Sequence, residues 1–170
     1  MTNVLLIGMP GVGKTTLIKK FVAKASCPCT GFYTGEIRNA AGQRTGFSVT
    51  HIDGSAEDTF ASIDFTTKQR VGKYSVNIAR FEQVALPAIS GSNPDQLIVV
   101  DEIGKMELFS SKFKEQVMKC LDGHRFLATI TARGGGTFVE KIKERNDVTL
   151  IEITRANRDE MVDRLLQMCT

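Results

Sequence analysis

The amino-acid sequence predicts an α/β fold: a mainly parallel sheet flanked by helices in three layers, with a β-hairpin-rich insertion after the first helix. Three features predict it. Short, continuous apolar runs at Asn3–Ile7, Leu97–Val100, Phe126–Thr131 and Thr149–Ile153 have the character of strands buried on both faces. Segments with helical spacing lie between and after them. The stretch from Phe32 to about Ala79 alternates with period two instead and is punctuated by turn residues.

Asn3–Ile7 breaks into Gly8-Met9-Pro10-Gly11-Val12-Gly13-Lys14-Thr15. Thr16–Lys24 then sets Leu17, Phe21 and Val22 on one side and Lys19, Lys20 and Lys24 on the other, which is strand, glycine loop, helix. Hairpins follow. Phe32–Arg38 leads to a turn at Asn39–Gly42, and Phe47–Ile52 ends at Asp53-Gly54. Phe60–Phe65 and Tyr74–Ile78 are further short strands. From Arg80 helix and strand alternate again, beginning with a helix over Arg80–Ser90 that Pro87 should break or kink. Met106, Phe109, Phe113, Val117 and Leu121 recur at three or four residues and predict one amphipathic helix over Glu107–Leu121. Phe126–Thr131 and Thr149–Ile153 are the third and fourth buried strands, with helices at Phe138–Arg145 and Asp159–Met168. One domain over residues 1–170 accounts for the whole pattern, with 32–79 as its insertion.

Composition narrows the function classes. The chain has 170 residues, 42% hydrophobic and 24% charged, with a net charge of +3, so it is ordinary globular protein and not a disordered chain. That charge is too small for a dedicated nucleic-acid or membrane surface. The aromatic residues fall in core periods and form no stacking platform. No apolar run approaches the ~18–20 residues of a membrane span, and Met1-Thr2-Asn3 opens no signal peptide. The expected compartment is the cytoplasm. Cys27-Pro28-Cys29 has the spacing of neither a redox pair nor a zinc knuckle, so Cys27, Cys29, Cys120 and Cys169 read as structural thiols. His51 and His124 have no ligand pattern around them and read as structural or surface residues.

The chemistry lies in two motifs. Gly8–Thr15 fits G-x-x-x-x-G-K-[ST] at every fixed position, between an apolar strand and a helix. Gly11 and Gly13 allow the backbone N–H groups to turn inward around a β-phosphate at the helix N-terminus. Lys14 supplies a point charge to the β- and γ-phosphates, and the Thr15 hydroxyl can ligate Mg²⁺. Together these predict a P-loop NTPase three-layer sandwich. The second motif is Leu97-Ile98-Val99-Val100-Asp101-Glu102, four apolar residues and then two carboxylates at the strand end where ligands bind in open α/β sheets. Asp101 is the candidate metal acid, partnering Thr15, and Glu102 the group that orients or deprotonates the attacking water.

Other candidates compete. Asp53-Gly54 ends a strand much as the metal loop of GTPases does, but an ordinary hairpin turn already explains it. No Asn-Lys-x-Asp guanine reader is present. Arg133, before Gly134-Gly135-Gly136, is either an arginine supplied in cis to the γ-phosphate or a solvated loop residue. Asn157-Arg158 follows the fourth buried strand, where a base-contacting loop fits, although Asn157 also suits the cap of the last helix. Lys105 faces either phosphate or solvent.

Taken together, these residues resemble the small nucleoside-triphosphatases of archaea and bacteria related to the human cancer-related nucleoside-triphosphatase. The matching stretches are Gly8–Thr16, Gly31–Arg38, Arg44–Phe47, Val71–Asn77, Asp101–Glu107 and Asn157-Arg158. The P-loop is generic, whereas Asp101–Glu107 and Phe32–Arg38 are much more specific. The resemblance implies Mg²⁺-dependent hydrolysis of ATP, GTP, CTP and UTP to diphosphate and phosphate. It also implies nucleotide segments at Gly8–Thr16 and around Leu97–Gly104, including Ile103. Read from the motifs and their positions, the expected catalytic group is Lys14, Asp101, Glu102 and Arg133. A nucleoside or nucleotide kinase and a nucleotide-dependent switch are the alternatives. Only Arg38, Arg44 and Arg70 lie in the insertion, a poor kinase lid. No motif identifies a protein partner.

Overall fold

A computed structural model describes residues 3–91, 93, 95–123 and 125–169. His124, and the Met1-Thr2 start considered above, lie outside the described residues. The strands are β1 (Asn3–Ile7), β2 (Cys29–Arg38), β3 (Arg44–His51), β4 (Glu57–Ser62), β5 (Arg70–Val71), β6 (Tyr74–Val76), β7 (Leu97–Ile103), β8 (Phe126–Ile130) and β9 (Val148–Glu152). The helices are α1 (Lys14–Lys24), α2 (Ile78–Ser90), α3 (Ser111–Asp122), α4 (Gly136–Lys143) and α5 (Met161–Cys169).

All nine described strands form one sheet in the order β5-β6-β4-β3-β2-β7-β8-β1-β9. From β2 to β9 the pairings are parallel, and from β2 to β5 they are antiparallel. β2 belongs to both halves. Its Cys29–Tyr33 segment pairs with Leu97–Asp101, while Phe32–Arg38 pairs with β3. The hairpin region thus continues the sheet that carries the P-loop.

Side chains alternate across this sheet into two cores. On one face Leu5, Phe32, Val100 and Phe126 pack with Phe81 of α2 and Phe113 of α3. Phe32, Phe81 and Phe113 meet with centroids 5.1–5.9 Å apart. On the other face Val4, Leu6, Val99 and Leu127 pack with Ile18 and Phe21 of α1 and Leu165 of α5. This is the three-layer α/β arrangement that the sequence pattern predicts.

Three local expectations need correction. The helix predicted over Glu107–Leu121 is broken into a 3-10 turn at Glu107–Phe109 and α3. Ser110 causes the break, because its extended backbone lets its hydroxyl cap the Phe113 N–H at 3.0 Å. Pro87 does not end α2, which continues to Ser90. Neighbouring side chains satisfy carbonyls of its last turn: the Thr30 hydroxyl donates to Ala88 O and the Gln116 amide to Ile89 O. Finally, the fourth strand is not buried on both faces. β9 is a sheet edge, and Leu150 is among its exposed residues.

Candidate active site

The loop between β1 and α1 carries the phosphate-binding candidates Gly8, Met9, Pro10, Gly11, Val12 and Gly13. Gly13 caps α1 at φ 106°, a left-handed conformation that favours glycine, so the chain can enter the helix with Lys14 and Thr15 in its first turn. Lys14 folds over its own loop, its Nζ donating to Gly8 O at 2.9 Å and Met9 O at 3.3 Å. Those carbonyls hold the ammonium beside the space that the loop encloses.

β7 delivers the carboxylates. Leu97, Val99 and Val100 are buried in the two cores and Ile98 packs against one of them, so their part is to fix the strand. Val100 is opposite Ala128 of β8, yet Ile103 is opposite Ile130, so β7 spends Asp101 and Glu102 against Thr129 alone. Such a bulge re-aims consecutive side chains that would otherwise point to opposite faces.

Asp101 is 2% exposed, on the α1 side of the sheet with Val99. Thr129 donates to its Oδ1 at 2.6 Å, while Oδ2 has no hydrogen-bond partner among the described residues. Burial pushes the Asp101 carboxyl upward; the Thr129 and Thr15 hydroxyls, and then Lys14, oppose this. Glu102 is half-buried. Burial and the neighbouring Asp101 raise its pKa, and Lys14 pulls it down. Strand end and P-loop therefore form one electrostatic unit, with β8 between their strands.

The remaining candidates are more dispersed. Arg133 is exposed in the loop after β8, its carbonyl accepting from the Thr131 hydroxyl at 2.8 Å. Lys143 ties down the same loop through Thr131 O at 2.6 Å. Lys105 is exposed and leans over Gly134 of that loop. Asn157 is not the cap of α5, which begins four residues later at Met161. It ties its own turn instead, accepting from Thr154 N and donating to Glu152 O, both at 2.8 Å. Arg158 reaches the P-loop, donating to Val12 O at 3.1 Å. Gly13, Thr16, Leu17, Lys20, Arg158 and Asp159 line an open cleft of about 200 Å³ beside it.

Asp53 is spent elsewhere. It accepts from the Ser55 N–H and hydroxyl in a turn beyond β3, whose last residue, His51, is opposite Phe32. That turn is at the sheet edge away from the end of β7. Glu36 is paired with Arg38 and with Arg44, the latter at 2.6 Å. All four cysteines are free thiols, and His51 bonds to Val84 O at 2.7 Å.

Two residues at the site escaped the sequence pattern. Thr129 is a polar residue in an otherwise apolar strand, a legible anomaly. Glu107 is 6% exposed and accepts from Gly104 N at 3.1 Å. Its apparent place in an amphipathic helix hid it.

Comparison with known proteins settles the family. Residues 3–166 match the NTPase family model. The chain belongs to this nucleoside-triphosphatase family. It is 40% identical over 167 residues to the nucleoside-triphosphatase THEP1 of Thermotoga sp. (strain RQ2), covering 98% of this chain and 94% of that protein. It is also 40% identical over 177 residues to the human cancer-related nucleoside-triphosphatase, covering 94% of this chain and 92% of the human one. The crystal structure of THEP1 from Aquifex aeolicus is similar with a TM-score of 0.89 at 36% identity, over 98% of both chains. The solution structure of the human protein gives 0.83 at 36% identity, over 99% of this chain and 97% of that one. These likenesses span both halves of the sheet, so the family fold includes the hairpin region.

Proposed function

We propose that this member of the family hydrolyses ATP, GTP, CTP and UTP to diphosphate and phosphate with Mg²⁺, and discriminates little between bases. The observation that carries the proposal is the buried Asp101 Oδ2, which has no hydrogen-bond partner among the described residues, in a carboxyl whose charged form the Thr15 hydroxyl favours. A hard, anionic oxygen beside a hydroxyl is the donor set that a Mg²⁺ ion fits. Thr15 and Asp101 would hold it, and when bound it supplies charge neutralisation at the β- and γ-phosphates.

The chain's own residues do the rest. The N–H groups of Gly11–Thr15 take the β-phosphate, and Lys14 exchanges its carbonyl partners for phosphate oxygens. Glu102, with a pKa raised by burial, orients the attacking water and accepts its proton. Arg133 approaches the γ-phosphate from the loop after β8. Arg158 braces the P-loop while Asn157 shapes the turn beside the cleft, where the ribose and base lie. Thr16, Leu17 and Lys20 also line the cleft; a hydroxyl, an alkyl group and a flexible ammonium suit many bases alike, which supports broad specificity.

Residues 1–170 act as one domain in this proposal, supported by the continuous sheet. The kinase alternative loses support because Arg38 and Arg44 are already paired with Glu36. No helix among the described residues is long and apolar enough to cross a membrane. Phosphate release from each of the four triphosphates, with Mg²⁺ and without an acceptor, tests the proposal. Comparable turnover on all four supports it. Release that requires an added nucleoside or nucleotide points to the kinase, and a hundredfold preference for one base contradicts the broad specificity.

A further inference from the structure

Between the strand end and α3, the chain carries a second buried carboxyl that the proposed mechanism does not use. Glu107 begins the 3-10 turn that packs on β7, α2 and α3. Its Oε2 accepts from Gly104 N at 3.1 Å, which closes the loop that leaves β7 after Ile103 and begins two residues past Glu102. The same geometry brings the two glutamates together. A Cβ on Gly104 would sit 2.9 Å from Glu107 Oε2 and 3.0 Å from Glu102 Oε1, so both carboxyls flank one Cα, and a side chain there would have to displace them.

We infer that Glu107 is a positioning residue for hydrolysis: its carboxyl grips the Gly104 N–H and fixes the direction in which Glu102 meets the attacking water. This rests on the role proposed for Glu102. Glu107 performs it as a neutral acid at physiological pH. Burial pushes its pKa up to about 8, and Glu102 and Asp101 add to this; the N–H groups of Glu107 itself and Gly104 oppose it. Among the described residues, the charged groups on the elements around it give it no counter-ion. Glu102 and Asp101 on β7 are like-charged. Glu82 on α2 bonds the Ser110 hydroxyl at 2.7 Å and pairs with Lys112 of α3 at 3.2 Å. Lys105 on its own loop leans over Gly134. A neutral Glu107 can grip the turn without setting a second negative charge against Glu102. Losing the proton adds that charge and pushes the two carboxyls apart.

The test is Mg·ATP turnover from pH 6 to 10 for the wild type, Glu107→Ala, Glu107→Gln and Glu102→Gln, with nucleotide binding and thermal unfolding alongside. A one-ångström displacement of a catalytic group can cost on the order of 100-fold, so Glu107→Ala should lower kcat by roughly 10–100-fold with KM within about threefold. Glu107→Gln, an isostere of the neutral acid, should recover most of that loss at pH 7. It should also lack the decline in turnover that the wild type shows above about pH 8. Wild-type turnover in Glu107→Ala, or equal damage from Ala and Gln at pH 7, overturns the inference. If Glu107→Ala does not fold, the Gln variant decides through its pH profile, and a profile identical to the wild type overturns it. Failure of the underlying mechanism looks different: Glu102→Gln would then leave turnover intact whatever the Glu107 variants do.

Discussion

The two halves of the sheet treat their charged residues in opposite ways. In the antiparallel half Glu36 is exposed and held by Arg38 and Arg44, Arg80 pairs with Asp58 at 3.3 Å, and Asp53 bonds its own turn. In the parallel half Asp101 and Glu107 are buried carboxyls with no ion pair among the described residues, and Lys14 holds only backbone carbonyls. Burying a carboxyl is costly unless it is paired or keeps its proton, so carboxyls left without an ion pair mark the candidate site. Exposed, mutually satisfied pairs carry no such demand. The hairpin half keeps its charges in exposed pairs, and the candidate catalytic groups fall in the parallel half.

Lys14→Ala should break this contrast most severely. Removing a preorganised charge from the transferring phosphoryl group costs on the order of 10²–10³ in turnover, read from initial rates of phosphate release. A second effect lies in pH-dependent stability. Glu107 has its folded pKa raised from 4.5 to about 8, so the folded state binds more protons between those values and stability falls as pH rises through them. Urea unfolding at pH 6 and pH 8 should show the wild type losing roughly 2 kcal/mol more than Glu107→Gln. Thr129→Val comes next. It strips Asp101 Oδ1 of its donor and should cost about 1–2 kcal/mol in a denaturant midpoint measured without nucleotide. The smallest change is expected across the sheet, where Glu36→Gln removes exposed pairs. It should shift stability by less than about 1 kcal/mol and leave phosphate release within about twofold of wild type. A large loss of activity in that variant would place chemistry in the hairpin half.

Much of this was legible in the sequence because it is written in local patterns. The P-loop needs only glycines at fixed offsets between a strand and a helix, and the apolar run before Asp101 marks a buried strand end. What escaped depends on partners distant in the chain. Nothing local shows that β7 spends two residues against Thr129, yet that bulge determines where Asp101 and Glu102 point. Glu107 lies off the apolar set Met106, Phe109, Phe113, Val117 and Leu121, so periodicity placed it on a helix surface; the Ser110 cap breaks that helix, and Glu107 is buried in the turn before it. β9 looked like its buried neighbours because an edge position follows from strand order, which β1 and β8 decide together. Asn157 has the residue type of a cap, but the turn it ties ends before α5 begins.

The central claim is the division of labour between adjacent carboxylates, Asp101 for the metal and Glu102 for the water. It is tested most directly by measuring Mg·ATP affinity and single-turnover phosphate release together, in Glu102→Gln and Asp101→Asn. The Gln amide keeps the size of Glu102 but takes no proton at neutral pH. Affinity in that variant should stay within about threefold of wild type while release slows by roughly 10²–10⁴, the usual worth of a positioned base. Asp101→Asn should instead weaken Mg²⁺-dependent binding and recover in part when Mg²⁺ is raised. Loss of binding in Glu102→Gln, with loss of turnover alone in Asp101→Asn, would contradict the assignment.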